Sequence, residues 1–139
     1  VLASAGSPAL RALYAVGIAH AERAHADRWV VVQLGVGSAS DGATHEALNL
    51  AALLRPNVIF VVSVHPLTAG PAGDAPLGRQ LATSPSALAR AFGVPAVQVD
   101  GTSAEAVAAA VSAARAQPGP HLIEAQLVEA TLTAAGDET

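Results

Sequence analysis

Gly35-Val36-Gly37-Ser38-Ala39-Ser40-Asp41-Gly42-Ala43-Thr44-His45-Glu46-Ala47-Leu48-Asn49 is the stretch that decides the fold. It follows Trp29-Val30-Val31-Val32-Gln33-Leu34, an apolar run that reads as a buried strand, and it leads into apolar residues at helical spacing. Two glycines, Gly35 and Gly37, therefore fall where a strand must turn sharply into a helix. Such a turn aims backbone N–H groups and a helix N-terminus at the crevice above the sheet, which suits an anion such as a diphosphate. Gly35, Gly37, Ser38 and Gly42 are the residues this reading places against that anion.

Working outward, the chain alternates. Ser7-Pro8 is a helix start, and Leu10, Leu13, Tyr14, Gly17, Ile18 and Ala21 then recur at helical spacing as its apolar face. Gly17 on that face permits close helix approach, either in the core or across a dimer contact. Asp41 or Gly42 opens the next helix, with Leu48, Ala51, Ala52 and Leu54 on one side and Pro56 at its end. Val58-Ile59-Phe60-Val61-Val62 is a second strand. From His65 to Gly78 the chain is punctuated by Pro66, Gly70, Pro71, Gly73 and Pro76, so 65–78 is expected to be a mobile loop. Ser84-Pro85 starts a short helix closed by Gly93, and Ala96-Val97-Gln98-Val99 is a third strand ending in Asp100-Gly101. Thr102-Ser103-Ala104-Glu105 reads as a capping box before an Ala-rich helix that stops near Pro118. His121 to Val128 is a fourth strand, and 129–139 is expected to be a frayed tail. The fold class is α/β: residues 1–139 form one domain, an open parallel sheet with helices on both faces and right-handed crossovers.

Composition narrows the partners. Hydrophobic residues make up 52% of the 139 and charged residues 13%, against about a quarter charged in an ordinary soluble domain. So few charges point to a surface hidden in a homo-oligomer or against a companion chain, an Ala-rich monomer being the other reading. A net charge of -4 with seven scattered arginines offers no basic patch, so nucleic acid is not an expected partner. The absence of cysteine excludes disulfides and thiolate chemistry. No apolar run reaches the roughly 18 residues of a membrane span, so no membrane partner is expected either, and a cytoplasmic location is the default. The chain opens without Met inside a helical approach, which leads us to expect residues upstream.

The stretch at 35–49 closely resembles the cofactor-binding segment of thiamine-diphosphate enzymes, specifically the alpha subunit of the 2-oxo acid dehydrogenase E1 component. That family writes Gly-Asp-Gly-Ala-Thr-Ser-Glu-Gly-x-x-His-Glu-Ala-Leu-Asn, and this chain keeps Gly35, Gly37, Ser40, Gly42 and His45 to Asn49 in ungapped register. Val58 to Val62, Gly93 to Gly101 and Gly119 to Ala125 resemble further E1 alpha segments in the same order, so the likeness covers roughly residues 10 to 128. The resemblance implies a shortened thiamine-diphosphate-binding fold, in which this domain holds the diphosphate and a second domain, usually on a beta subunit, grips the pyrimidine.

It also implies a Mg²⁺ ion, and the family's ligand positions fall at Val36, His65 and the carbonyl of Leu67. Val36 stands where the family has Asp and offers no donor. His65 stands where it has Asn and offers a nitrogen that suits softer metals. The Asn-Asn-Gly-Tyr run is replaced by Ser63-Val64-His65-Pro66-Leu67, and a family His after the fourth strand falls near Thr133. The expectation is a vestigial diphosphate turn with no intact metal site, no catalytic residue, and no cofactor for this chain alone. In function that makes it a non-catalytic assembly or interaction subunit. The alternative is an active E1 alpha-type subunit, decarboxylating a 2-oxo acid, whose rebuilt cofactor site is shared with a partner chain.

The remaining polar residues read more simply. His45 and Glu46 open a helix near the crevice, where Glu favours the positive helix end. His20 and His25, five apart, share no helix face. Asp41 and Asp100 cap or close turns. Ser7, Ser38 and Ser40 lack the partners of a catalytic serine.

Overall fold

The computed structural model describes residues 7–65 and 81–127. The elements are α1 (Leu10–Ala21), β1 (Val30–Gly35), α2 (Val36–Ala39), α3 (Gly42–Leu54), β2 (Val58–Val64), α4 (Pro85–Ala91), β3 (Ala96–Asp100), α5 (Ala104–Arg115) and β4 (His121–Gln126). The four strands form one parallel sheet in the order β1-β2-β4-β3, as expected of helix–strand alternation. The expected loop at 66–78 and tail at 129–139 lie outside the described residues, and so does Val128.

Alternation along each strand divides the core in two. Val32, Leu34, Val58, Phe60, Val62 and Leu122 point to one face, where α1, α3 and α4 bury Val16, Leu48 and Ala89. Ile59 and Ile123 point to the other, against Ala110, Val111 and Ala114 of α5. The handedness of crossovers explains this split. From β1 to β2 and on to β3 the chain moves across the sheet in one direction, with its helices on the first face. From β3 it steps back to fill the slot beside β2, so a right-handed connection must place α5 on the opposite face.

Capping chemistry sets the helix starts. Asp41 accepts from the Ala43 N–H (2.9 Å) and Ser84 accepts from the Ala87 N–H (3.1 Å), as their sequence positions predict. Gly93, at φ 80, closes α4. At α5 the expected capping box is shifted by one residue. Ser103 is the cap, accepting from the Ala106 N–H at 3.2 Å, because the Thr102 hydroxyl is already bound to Asp100. At α1 the Ser7-Pro8 signal is followed by i to i+3 bonds, Leu10 N–H to Ser7 and Arg11 N–H to Pro8, so the α-helix proper begins only at Leu10.

Two apolar faces differ from the sequence expectation. α1 buries the small side, Ala12, Ala15, Val16 and Ala19, and leaves Leu10 37% and Tyr14 52% exposed. Gly17 is exposed with nothing within 4 Å of a built Cβ, so it serves no close approach within the described core. On α3, Leu48 and Ala51 are buried as expected, but Leu54 is 44% exposed while Thr44 and Ala47 complete the buried stripe. Short residues are favoured where helices must lie close to a sheet and to each other, as α1 does to β1 and α3.

The edges of the sheet are unlike. The Pro95 carbonyl accepts from Leu122 N–H, so the next residue, Ala96, turns its backbone away from β4, and its carbonyl is taken by the Arg90 guanidinium at 3.0 Å. Just beyond β3, Gly101 donates to the Gln126 carbonyl at 2.7 Å. A Cβ there would lie 2.9 Å from both that oxygen and the Leu127 side chain. Gly101→Ala is therefore expected to lower stability by about 1–3 kcal/mol, read as a reduced midpoint in urea. A midpoint equal to that of the unaltered chain would show the β3–β4 ends to be loosely joined.

Candidate functional site

Register places the C-terminal ends of the strands together: Gly35 pairs with Ser63, Val64 with Gln126, and Asp100 with Gln126. This is the edge at which an open parallel sheet presents its crevice. The residues singled out from the sequence, Gly35, Val36, Gly37, Ser38, Gly42 and His65, all come to it. Leu67 lies outside the described residues.

The sharp strand-to-helix turn expected at Gly35 and Gly37 is present, β1 ending at Gly35 and α2 starting at Val36. Gly35 is extended (φ -86, ψ 163) and the chain enters the four-residue helix α2 directly, with no left-handed glycine in the turn. Gly35 and Gly42 each have open space where a Cβ would stand, so neither is held by a close backbone approach. The hydroxyls turn inward: Ser40 Oγ donates to the Gly37 carbonyl (2.7 Å) and the buried Thr44 Oγ1 donates to the Ser38 carbonyl (2.6 Å). His45 Nδ1 donates to the Asp41 carbonyl at 3.0 Å, and its ring meets Phe92 edge-on at 6.3 Å. Glu46 is exposed. The Ser38 carbonyl and the Ser40 hydroxyl thus serve the turn, and among the described residues no base or acid partners either serine hydroxyl.

The metal implied by the resemblance does not fit these donors. Val36, the first residue of α2, is a half-buried hydrocarbon, and His65 is exposed at the end of β2 with only imidazole nitrogens to offer. Mg²⁺ takes hard oxygen ligands in near-octahedral array. Among the described residues no three His, Asp or Glu side chains are placed to share a metal ion.

A polar cluster that sequence reading missed lies behind this edge. Glu124, 1% exposed in the middle of β4, accepts from the Ser86 N–H at 2.8 Å, from Gln98 Nε2 at 3.2 Å and from Gln126 Nε2. Gln98 also donates to Ser86 Oγ at 3.1 Å. The signal in the sequence was one acidic residue inside the run His121-Leu122-Ile123-Glu124-Ala125, since a buried carboxylate is rare without partners. A cavity of about 480 Å³ lies elsewhere, between α5 and β3, and is lined by Val97, Val99, Ala110, Ala113 and Ile123. Its histidine, His121, is spent on the Gln117 carbonyl (2.8 Å). It is an apolar groove without convergent polar groups, and the diphosphate turn does not open into it.

Two expected outcomes follow from this chemistry. Glu124→Leu leaves the buried Ser86 N–H and two amide groups without an acceptor, so stability should fall by about 1–3 kcal/mol, and less for Glu124→Gln; equal midpoints for all three proteins would contradict the network. Asp100 lies below its ordinary carboxylate value because the Thr102 hydroxyl, and then the Thr102 N–H, donate to it. A lowered folded-state value favours the fold above the unfolded carboxylate range, and this is lost as pH falls through the folded value. Thr102→Val should move the Asp100 titration upward in a carboxyl NMR titration, and an unmoved titration would assign the shift elsewhere.

Comparison with known proteins agrees with this geometry. The sequence profile described as "Dehydrogenase E1 component" matches residues 3–131. The 3-methyl-2-oxobutanoate dehydrogenase subunit alpha of Mycobacterium tuberculosis is 40% identical over 120 residues, covering 81% of this chain and 31% of its own length. The human mitochondrial 2-oxoisovalerate dehydrogenase subunit alpha is 36% identical over 117 residues, covering 80% of this chain and 25% of its own. The chain thus spans between a quarter and a third of these curated relatives. Among solved structures, a Mycobacterium smegmatis protein assigned to the thiamin diphosphate-dependent enzymes superposes with a TM-score of 0.65 at 28% identity, over 85% of this chain and 22% of that one. Transketolase of Leishmania mexicana reaches a TM-score of 0.70 at 23% identity, over 88% and 20%, a likeness of fold alone. The chain belongs to the dehydrogenase E1 component family, as an E1-alpha-like domain of the 2-oxo acid dehydrogenases on the thiamine-diphosphate-binding fold.

Proposed function

We propose that this chain is an E1-alpha-like domain that has lost Mg²⁺-thiamine diphosphate binding and acts as a non-catalytic assembly or interaction subunit, in a homo-oligomer or with a companion E1-type subunit. The observation that carries the reading is Val36. It occupies the first position of α2 at the C-terminal edge of the sheet and presents hydrocarbon where the family's carboxylate would meet the metal. His65 supports it, offering imidazole in place of an amide oxygen at the end of the neighbouring strand. The Ser40 and Thr44 hydroxyls of the turn are committed to the carbonyls of Gly37 and Ser38, and Asp41 Oδ1 accepts from the Ala43 N–H as the cap of α3. What remains of the diphosphate turn is backbone, and peptide dipoles alone hold an anion far less tightly than a divalent cation does.

The test is calorimetric titration of the chain with thiamine diphosphate in Mg²⁺ and in chelator. Losing about 3 kcal/mol of binding corresponds to a drop of roughly a hundredfold in affinity, since each 1.4 kcal/mol is a factor of ten. The unaltered chain is expected to bind no tighter in Mg²⁺ than in chelator. Val36→Asp with His65→Asn should raise affinity in Mg²⁺ only. Micromolar binding by the unaltered chain in Mg²⁺ would overturn the reading and favour the alternative, an active decarboxylating E1 alpha-type subunit with a rebuilt site shared with a partner chain.

A further inference from the structure

α1 is apolar on two opposite sides. Ala12, Ala15, Val16 and Ala19 face the core, and Leu10, Tyr14, Gly17 and Ala21 lie about 180° around the helix from them at 100° per residue, open to solvent. A helix that is apolar all round is one that is buried all round. The polar residues of α1, Arg11 and His20, stand on its flanks.

The outer stripe is self-complementary. Its spacing of four, three and four reads the same in both directions, so a second α1 laid antiparallel sets Leu10 against the second copy's Ala21, and Tyr14 against the second copy's Gly17. Large meets small at every position, and Gly17 has nothing within 4 Å of a built Cβ, which leaves a seat for the incoming tyrosine ring. Charge agrees with shape. Arg11 and Glu22 project from the same flank, about 20° apart by helical rotation. A two-fold axis keeps that flank on one side of both helices. In the register that pairs Tyr14 with Gly17, Arg11 stands about 3 Å along the axis from the second copy's Glu22, two residues at 1.5 Å each. Each contact occurs twice, as a closed isologous interface requires. Glu22 is also held by Arg28 of its own chain, which presents the carboxylate beside the end of the helix.

We infer that the outer face of α1 binds a second copy of this chain, forming a two-fold dimer through antiparallel α1 helices with Tyr14 seated on Gly17 and Arg11 paired with Glu22. This dimer is independent of whether the domain binds a cofactor.

Sedimentation equilibrium across a concentration series tests it. The unaltered chain is expected to dimerise. Gly17→Leu, which meets open space in the single chain, should raise the dimer dissociation constant at least tenfold while circular dichroism shows an intact fold. Arg11→Glu and Glu22→Arg should each weaken self-association. Mixed together they should recover it, because a mixed pair restores both opposite-charge contacts. A chain that stays monomeric at all concentrations, one that associates only with a different protein, or a dimer indifferent to Gly17→Leu and to the charge mixing would each overturn the assignment.

Discussion

The carboxylate of Glu124 accepts from Ser86 on the first turn of α4, from Gln98 on β3 and from Gln126 on its own strand, and so ties three elements at one buried point. Its position matters because of the route the chain takes. α4 carries the connection that passes over the slot beside β2, and β4 returns to fill that slot from the far side. A charge buried there at 1% exposure is tolerated only with its acceptor capacity met, and the partners come from the crossover helix and from the strand that must be placed first. A β4 shifted by one residue would turn Glu124 toward α5 and Ile123 toward the amides, a penalty on both faces at once. The register of β4 in that slot rests on that match, while the placement of α5 follows from the handedness of the crossover.

The crevice edge that this topology creates lies at the C-terminal ends of the strands, beside the start of α2 and the end of β2. Val36, the first residue of α2, and His65, just beyond β2, both come to that edge. A fold-level likeness to transketolases says nothing of activity.

Sequence reading recovered what local physics determines. Asp41, Ser84 and Gly93 stand where their capping roles put them, and Val58 to Val62 forms the strand its apolar run predicts, extended to Val64. Errors arose where local rules tie or compete. Thr102 and Ser103 are both good caps, and only the folded turn shows that Asp100 claims the threonine. α1 has two apolar stripes, and larger side chains drew the expectation to the wrong one, because the inner stripe is selected for shortness by neighbouring helices. Gly35 and Gly37 pointed to a sharp strand-to-helix turn, and the segment makes it by winding directly into α2, with Gly35 in extended backbone. The Glu124 cluster joins residues 38 and 26 positions apart, beyond any local signal.

The guanidinium of Arg90 on the Ala96 carbonyl gives the sheet a polarity of growth. At β3 that contact, Pro95 just before the strand and Asp100 at its end discourage another strand from docking. At the opposite margin β1, Val-Val-Val-Gln-Leu-Gly, carries neither charge nor proline, and Val31 stands 54% exposed. Among the described residues, the features that oppose a further strand are therefore gathered at the β3 margin and absent from the β1 margin.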